Sequence, residues 1–170
     1  MLMEFKASLD KLSKAITSLI FILPIIVGII LAKSQRGGDR SLILSFGFEL
    51  LLFTLLIIFC YLFRTQKYIV TDRELIIKRP IRERKILISD ILEVRSLSRD
   101  EMFGTIRTFG VGGLFGYYGW HYNKTFGSIL LYTTQRKNRI FIRTKNNQKI
   151  VISPDDISLA ELLKSESASA

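Results

Sequence analysis

The chain has 170 residues, and two long apolar stretches leave room for only about one small domain, too little for a large enzyme fold. The formal net charge of +10 favours anionic partners. The single cysteine, Cys60, excludes an intrachain disulfide and agrees with a reducing compartment.

The first apolar stretch, residues 16–32, follows a short N-terminal segment, residues 1–15, and carries no charge. Its length approaches the roughly 20 apolar residues that cross a bilayer core, so it predicts a transmembrane helix. A cleaved secretory signal is the competing interpretation, because three lysines precede the stretch. Two features argue against a cleaved signal. Pro24 and Gly28 lie inside a long apolar region, and Ile30 occupies a position where a cleavage site requires a small residue.

The second apolar stretch, residues 41–63, contains one charge, Glu49, and also predicts a transmembrane helix. Only residues 33–40 separate it from the first stretch, with Gly37 and Gly38 in the middle. We therefore expect a tight hairpin of two transmembrane helices joined by a short external loop.

Basic residues near the membrane ends predict the orientation of this hairpin. Two spans return the chain to its starting side, so both flanks count together. The basic residues of the two flanks outnumber those of the loop, which are Lys33, Arg36 and Arg40. We expect a multi-pass protein of the cell inner (cytoplasmic) membrane with both termini cytoplasmic. The flanking basic residues are Lys6, Lys11, Lys14, Arg64, Lys67, Arg73, Lys78 and Arg79.

The soluble part, residues 64–164, starts almost without a linker and is rich in strand patterns. A helix is expected to follow the strands, because Ser153 suits an N-cap and Pro154 the first helical position. The tail, residues 165–170, has little to bury and is expected to be flexible. The predicted strand segments are Tyr68–Val70, Leu75–Lys78, Ile86–Val94, Ser128–Thr134, Arg139–Thr144 and, after a turn at Asn146-Asn147, Lys149–Ile152.

Several of these residues carry a resemblance to a known family. The segment Tyr68–Ile77, followed by Ile88–Ile91 and Val94, resembles the opening of bacterial pleckstrin-homology-like (PH-like) domains, which often follow transmembrane helix pairs. The resemblance implies an α+β chain: the helix hairpin, then a PH-like β-barrel or sandwich closed by a C-terminal helix. It carries over no catalytic motif. One branch of that family is similar in Phe109–Gly119, Gly127, Leu131–Thr134 and Ile150–Asp156.

A basic turn is the first candidate site. Residues 103–153 contain eight lysines and arginines and no acid. The densest part holds Arg136, Lys137 and Arg139, which we predict to contact anionic lipid headgroups of the inner leaflet. The competing interpretation is a solvated hairpin tip. Nucleic acid is not expected as a partner, since none of its recognised motifs is present.

A segment rich in glycine and aromatic residues, 103–127, is the second candidate site. It holds seven of the eleven glycines and eight aromatic residues. In one interpretation the glycines form bulges and the aromatic residues fill the core. In the other, an exposed loop enters the membrane interface or docks on another subunit, which predicts a homo-oligomer. The residues of that loop are Leu114, Phe115, Tyr117, Tyr118 and Trp120.

Glu49 is the one ionisable residue within a predicted span, and intramembrane polar residues are often functional. Its expected partners are Ser45, Thr17 or Ser18. His121 is the only histidine and lies near no cysteine, so no metal site is expected. No nucleophile motif is present, and we predict neither an enzyme nor a cofactor.

These features predict a non-enzymatic membrane protein that displays a basic PH-like domain for binding or assembly. Its expected partners are anionic lipids, further copies of itself or another protein. The alternative is a small transporter or channel subunit built from oligomerised hairpins, with Glu49 as its polar residue.

Overall fold

A computed structural model describes residues 2–34 and 40–168 of the chain. The described part contains three α-helices, ten strands and one short 3-10 helix, Ile88–Asp90. The α-helices are α1 (Lys11–Ser34), α2 (Arg40–Leu62) and α3 (Leu159–Ala168). The strands are β1 (Met3–Lys6), β2 (Lys67–Val70), β3 (Glu74–Lys78), β4 (Arg84–Leu87), β5 (Ile91–Leu97), β6 (Ile106–Gly113), β7 (Gly116–Asn123), β8 (Gly127–Thr133), β9 (Arg139–Thr144) and β10 (Lys149–Ile152).

The two predicted spans form the long helices α1 and α2, each long and apolar enough to cross a membrane. Helix α1 begins at Lys11, five residues before the predicted boundary, because Asp10 caps it: the Asp10 carboxylate accepts a hydrogen bond from the Ser13 N–H at 2.7 Å. The predicted turn at Gly37 and Gly38 lies outside the described residues.

The β domain consists of two sheets. The first has four antiparallel strands in the order β1-β2-β3-β4, and the second has six in the order β5-β9-β10-β8-β7-β6. All neighbours in the second sheet are antiparallel except β8 and β10. The sheets pack face to face and are not closed into a barrel, so the sandwich of the two predicted alternatives is confirmed.

The main core lies between the two sheets and is capped by α3. Tyr68 and Ile77 of the first sheet and Ile140 and Ile150 of the second are all fully buried. Leu163 of α3 closes the same cluster. Strands β2 and β3 alternate in burial because one face of each enters this core, whereas β9 and β10 also bury Phe141 and Val151 in a second cluster on their other face.

Strand β1 was not predicted from the sequence. Met3–Lys6 pairs antiparallel with β2, and the Glu4 carboxylate contacts the Lys67 ammonium at 2.7 Å. The residues before the first helix thus belong to the β domain. Four residues with one aromatic side chain are too short a pattern to identify a strand by alternation alone.

The start of the C-terminal helix differs from the prediction. It begins at Leu159 rather than Pro154. The Ser153 hydroxyl does not cap a helix but accepts hydrogen bonds from the N–H groups of Thr134, at 2.9 Å, and Gln135, at 3.3 Å. Satisfying two backbone donors after β8 is the role that this serine has instead. The helix continues to Ala168, past the predicted boundary at residue 164.

Candidate functional site

The turn between β6 and β7 has an unusual composition. Two-residue hairpin turns ordinarily carry Gly, Asn or Asp, yet here the turn residues are Leu114 and Phe115. Phe115 has φ of 55°, in the left-handed region, and both side chains are buried. A bulky residue is held in that conformation only where surrounding contacts compensate the strain.

Those contacts come from the two long helices. Leu114 and Phe115 form a buried cluster with Cys60, against which Ile20 and Ile57 pack. The Phe115 ring lies edge-on to Phe21 of α1 and Tyr61 of α2, with centroid distances of 6.3 and 5.5 Å. The hairpin tip is therefore wedged between the start of α1 and the end of α2.

Three hydrogen bonds hold the hairpin tip, Leu114 and Phe115, between the two helices, and we call this tip the wedge. The Ser13 hydroxyl of α1 donates to the Gly113 carbonyl. One turn further along α1, the Thr17 hydroxyl accepts the Phe115 N–H at 3.1 Å. On the other side the Tyr118 hydroxyl donates to the Cys60 carbonyl near the end of α2. Burial raises the pKa of the Tyr118 phenol, which keeps it protonated as this bond requires.

Gly113 allows the close approach of the tip to α1. Its φ is +118°, and a Cβ built there would lie 2.5 Å from the Ile16 Cδ1 atom. Any side chain at this position would be strained by the backbone conformation and would also push against α1. The sequence singled out this glycine-rich region, but the reason for Gly113 is a contact with a residue almost a hundred positions away.

The five residues predicted to form an exposed loop take different positions. Leu114, Phe115, Tyr117 and Tyr118 are buried within the chain itself, and only Trp120, on β7, is largely exposed, at 46%. A bulge between Arg107 and Phe109 interrupts the pairing of β6 with β7. Trp120 also faces a groove beside α2. Self-association through this segment stays a prediction.

The basic turn lies next to the start of α1. The Arg136 N–H donates to the Asp10 carboxylate at 3.2 Å, and the Asp10 N–H donates to the Thr134 carbonyl at 3.2 Å. The Arg136 guanidinium lies over the Tyr117 ring, 5.3 Å from its centroid. Because Asp10 caps α1, the turn sits where the chain enters its first apolar helix.

The three basic candidates are not equivalent. Arg136 and Lys137 are exposed, whereas Arg139 is half-buried and its Nε has no hydrogen-bond partner among the described residues. Burial lowers the pKa of the Arg139 guanidinium, and the nearby Arg136 and Arg99 act in the same direction. Arg99, which the sequence did not single out, therefore adds to the positive potential at this place. An anion would relieve the mutual repulsion of these arginines.

Glu49 lies on α2 with an exposed side chain. Thr17, one of its predicted partners, binds the Phe115 N–H instead. His121 is buried, and its Nδ1 lies 3.1 Å from the Gly119 carbonyl oxygen. Across residues 2–34 and 40–168, no group of three His, Cys, Asp or Glu side chains is placed to hold a metal ion.

Comparison with known proteins agrees with this architecture. A family model for the bacterial PH domain matches residues 66–166, more than half of the chain. The match begins shortly after α2 ends and covers β2 to β10 and most of α3. No curated protein and no solved structure matches the chain.

Proposed function

Because the chain belongs to the bacterial PH domain family, a family of non-catalytic modules, we propose that it is a non-enzymatic membrane protein whose PH domain binds anionic lipid headgroups at the cytoplasmic face. In this proposal α1 and α2 cross the inner membrane and both termini are cytoplasmic. The two apolar helices are compatible with such an anchor.

The observation that carries the proposal is the contact of the basic turn with the cap of α1. If α1 crosses the bilayer, Asp10 lies at the level of the headgroups, and its 3.2 Å contact with the Arg136 N–H holds the turn at the same level. Each basic side chain near an anionic surface contributes about 1 kcal/mol. Lys11 and Lys14, both exposed in the first turn of α1, add to this field.

The wedge supports the same proposal. With Phe115 between the two helices, the domain is held in one orientation rather than swinging on a linker. A domain that is already oriented loses less rotational freedom when it meets the membrane surface, so less of the binding free energy is lost. Another copy of the chain or a different protein stays a predicted partner beside the lipid.

The lipid interaction is tested by neutralising the turn with Arg136→Gln, Lys137→Gln and Arg139→Gln in the full chain. We expect the enrichment of spin-labelled phosphatidylglycerol over spin-labelled phosphatidylcholine around the protein in nanodiscs to fall at least about fivefold, the equivalent of about 1 kcal/mol. High salt should weaken the enrichment for the parent protein, because the surface field decays within about 8–10 Å at physiological ionic strength.

A matched control removes three charges from the opposite end of the domain, with Arg73→Gln, Lys124→Gln and Lys145→Gln. These exposed residues lie in the β2–β3, β7–β8 and β9–β10 turns. We expect this control to keep the parent enrichment. An equal loss in both triple variants would mean that net charge alone attracts the lipid, and no loss in either would leave the turn as solvated surface.

The orientation of the chain gives a separate prediction. A cysteine introduced by Lys124→Cys, at an exposed position of the domain, should react with a membrane-impermeant maleimide only after the inner membrane is permeabilised. The parent protein is the control, since its only cysteine, Cys60, is buried. Labelling of Lys124→Cys in cells with an intact inner membrane would place the domain on the outside.

A further inference from the structure

A groove separate from the basic turn lies between the last turns of α2 and the six-stranded sheet. Its volume is about 390 Å³, within the range of small-molecule sites in proteins. Leu56 and Phe59 of α2 form one wall, together with Phe63 just after the helix. The sheet forms the other, mainly with Phe109, Trp120, Leu130 and Tyr132.

The sheet wall of the groove is partly buried and partly exposed. Leu130 and Tyr132 of β8 pack in the main core, whereas Trp120 of β7 and Phe109 of β6 lie outside that cluster. These two residues are opposite each other in the strand register and are 46% and 76% exposed. Exposed aromatic residues that adjoin an apolar cleft indicate a binding surface.

Among the described residues that line this groove, one carries a charge. The Arg79 guanidinium lies 5.7 Å from the centroid of the Phe63 ring and 5.3 Å from that of Tyr132, and its Nε donates to the Arg82 carbonyl at 2.6 Å. Burial lowers its pKa, and the nearby Arg82 and Arg84 act in the same direction. Among the described residues, no carboxylate pairs with Arg79.

We propose that this groove binds one anionic phospholipid, with an acyl chain along Leu56, Phe59 and Trp120 and the phosphate on Arg79. The inference rests on the proposed membrane location of α2. An arginine presents a planar set of donors that matches a phosphate, and the neighbouring arginines disfavour a headgroup that carries its own cation.

The position of the groove favours a lipid over other occupants. Leu56 and Phe59 lie inside the candidate span of α2 and are each 56% exposed, so acyl chains of the bilayer already contact the mouth of the groove. From there an acyl chain can continue along an apolar wall past the end of α2. A phospholipid with an anionic headgroup offers an acyl chain to the apolar wall and a negative charge to Arg79.

Trp120 reports on this site directly, because it is the only tryptophan of the chain. Phosphatidylglycerol with brominated acyl chains is added to the full-length parent protein in detergent. We expect Trp120 fluorescence to be quenched and the quenching to saturate at one lipid per chain. The same chains on phosphatidylcholine should require about a tenfold higher concentration, and unbrominated phosphatidylglycerol should restore the fluorescence.

The variant Arg79→Gln should raise the half-saturating concentration of brominated phosphatidylglycerol about tenfold, whereas Arg73→Gln, at an exposed arginine away from the groove, should leave it unchanged. Variants of the basic turn should also leave it unchanged, so the two lipid proposals fail independently. The inference is overturned if quenching is absent, if it rises without saturation, or if the two headgroups act alike. Protection of Trp120 that depends on protein concentration instead of lipid would assign the groove to a second copy.

Discussion

Alanine in place of Phe115 is expected to weaken the attachment of the β domain to the helix pair by about 3–5 kcal/mol. Phe115 is 8% exposed and contacts both Phe21 and Tyr61, so its removal leaves a cavity between the sheet and the two helices. Alanine at φ of 55° bears much the same backbone strain as phenylalanine, and the effect therefore reports lost packing.

Amide hydrogen exchange measures this loss. The Phe115 N–H binds the Thr17 hydroxyl, and opening of the wedge exposes it together with the start of β7. A change of about 3 kcal/mol corresponds to an exchange rate at least about a hundredfold faster, at roughly 1.36 kcal/mol per factor of ten. The matched control is Phe103→Ala, since Phe103 is 87% exposed and its loss should change the rate little. Similar rates in both variants would show that the tip is not held by the helices.

Valine in place of Gly119 is expected to have the largest effect on stability, above about 4 kcal/mol. Gly119 of β7 lies opposite Gly110 of β6, and a Cβ at residue 119 would stand 2.4 Å from the Phe109 carbonyl oxygen. Its φ of +107° is also unfavourable for any residue but glycine. The clashing oxygen belongs to the backbone, so a change of side-chain rotamer cannot relieve the contact. Strand β6 must therefore separate from β7.

Thermal unfolding in detergent and limited proteolysis of residues 106–113 test this expectation. Gly104→Ala serves as the control, because Gly104 also has positive φ, +71°, but a Cβ added there would meet no other atom within 4 Å. This control should lower the free energy of unfolding by only about 1–2 kcal/mol, which reflects the backbone conformation alone. If Gly119→Val unfolded at the same temperature as Gly104→Ala, the close pairing of β6 with β7 would be refuted.

Both variants also bear on function. Loss of the wedge should let the domain move relative to α1 and α2, and the Asp10 contacts alone would then hold the basic turn at the start of α1. Loss of the β6–β7 pairing should remove Phe109 and Trp120 from the groove wall. Loss of the wedge should also widen the groove, because α2 forms its opposite wall.

Much of the architecture was predictable from local patterns. Two apolar stretches of helical length indicate α1 and α2 whatever surrounds them, because length and hydropathy are properties of each segment alone. The β-branched and aromatic residues of Tyr68–Val70 and the turn at Asn147, which has φ of 55°, are similarly local signals. The family resemblance supplied the sandwich and its closing helix, and both are present.

Long-range contacts decided the rest. The sequence shows Leu114 and Phe115 as apolar residues between glycines, but only the fold reveals that α1 and α2 bury them and compensate the strained turn. Ser153 suits a helix cap by local rules, yet two N–H groups after β8 take its hydroxyl. The groove at Arg79 likewise unites three distant segments. A local sequence pattern indicates which conformation a residue favours. Which residue it contacts is decided by tertiary packing, and a short window of sequence does not contain that information.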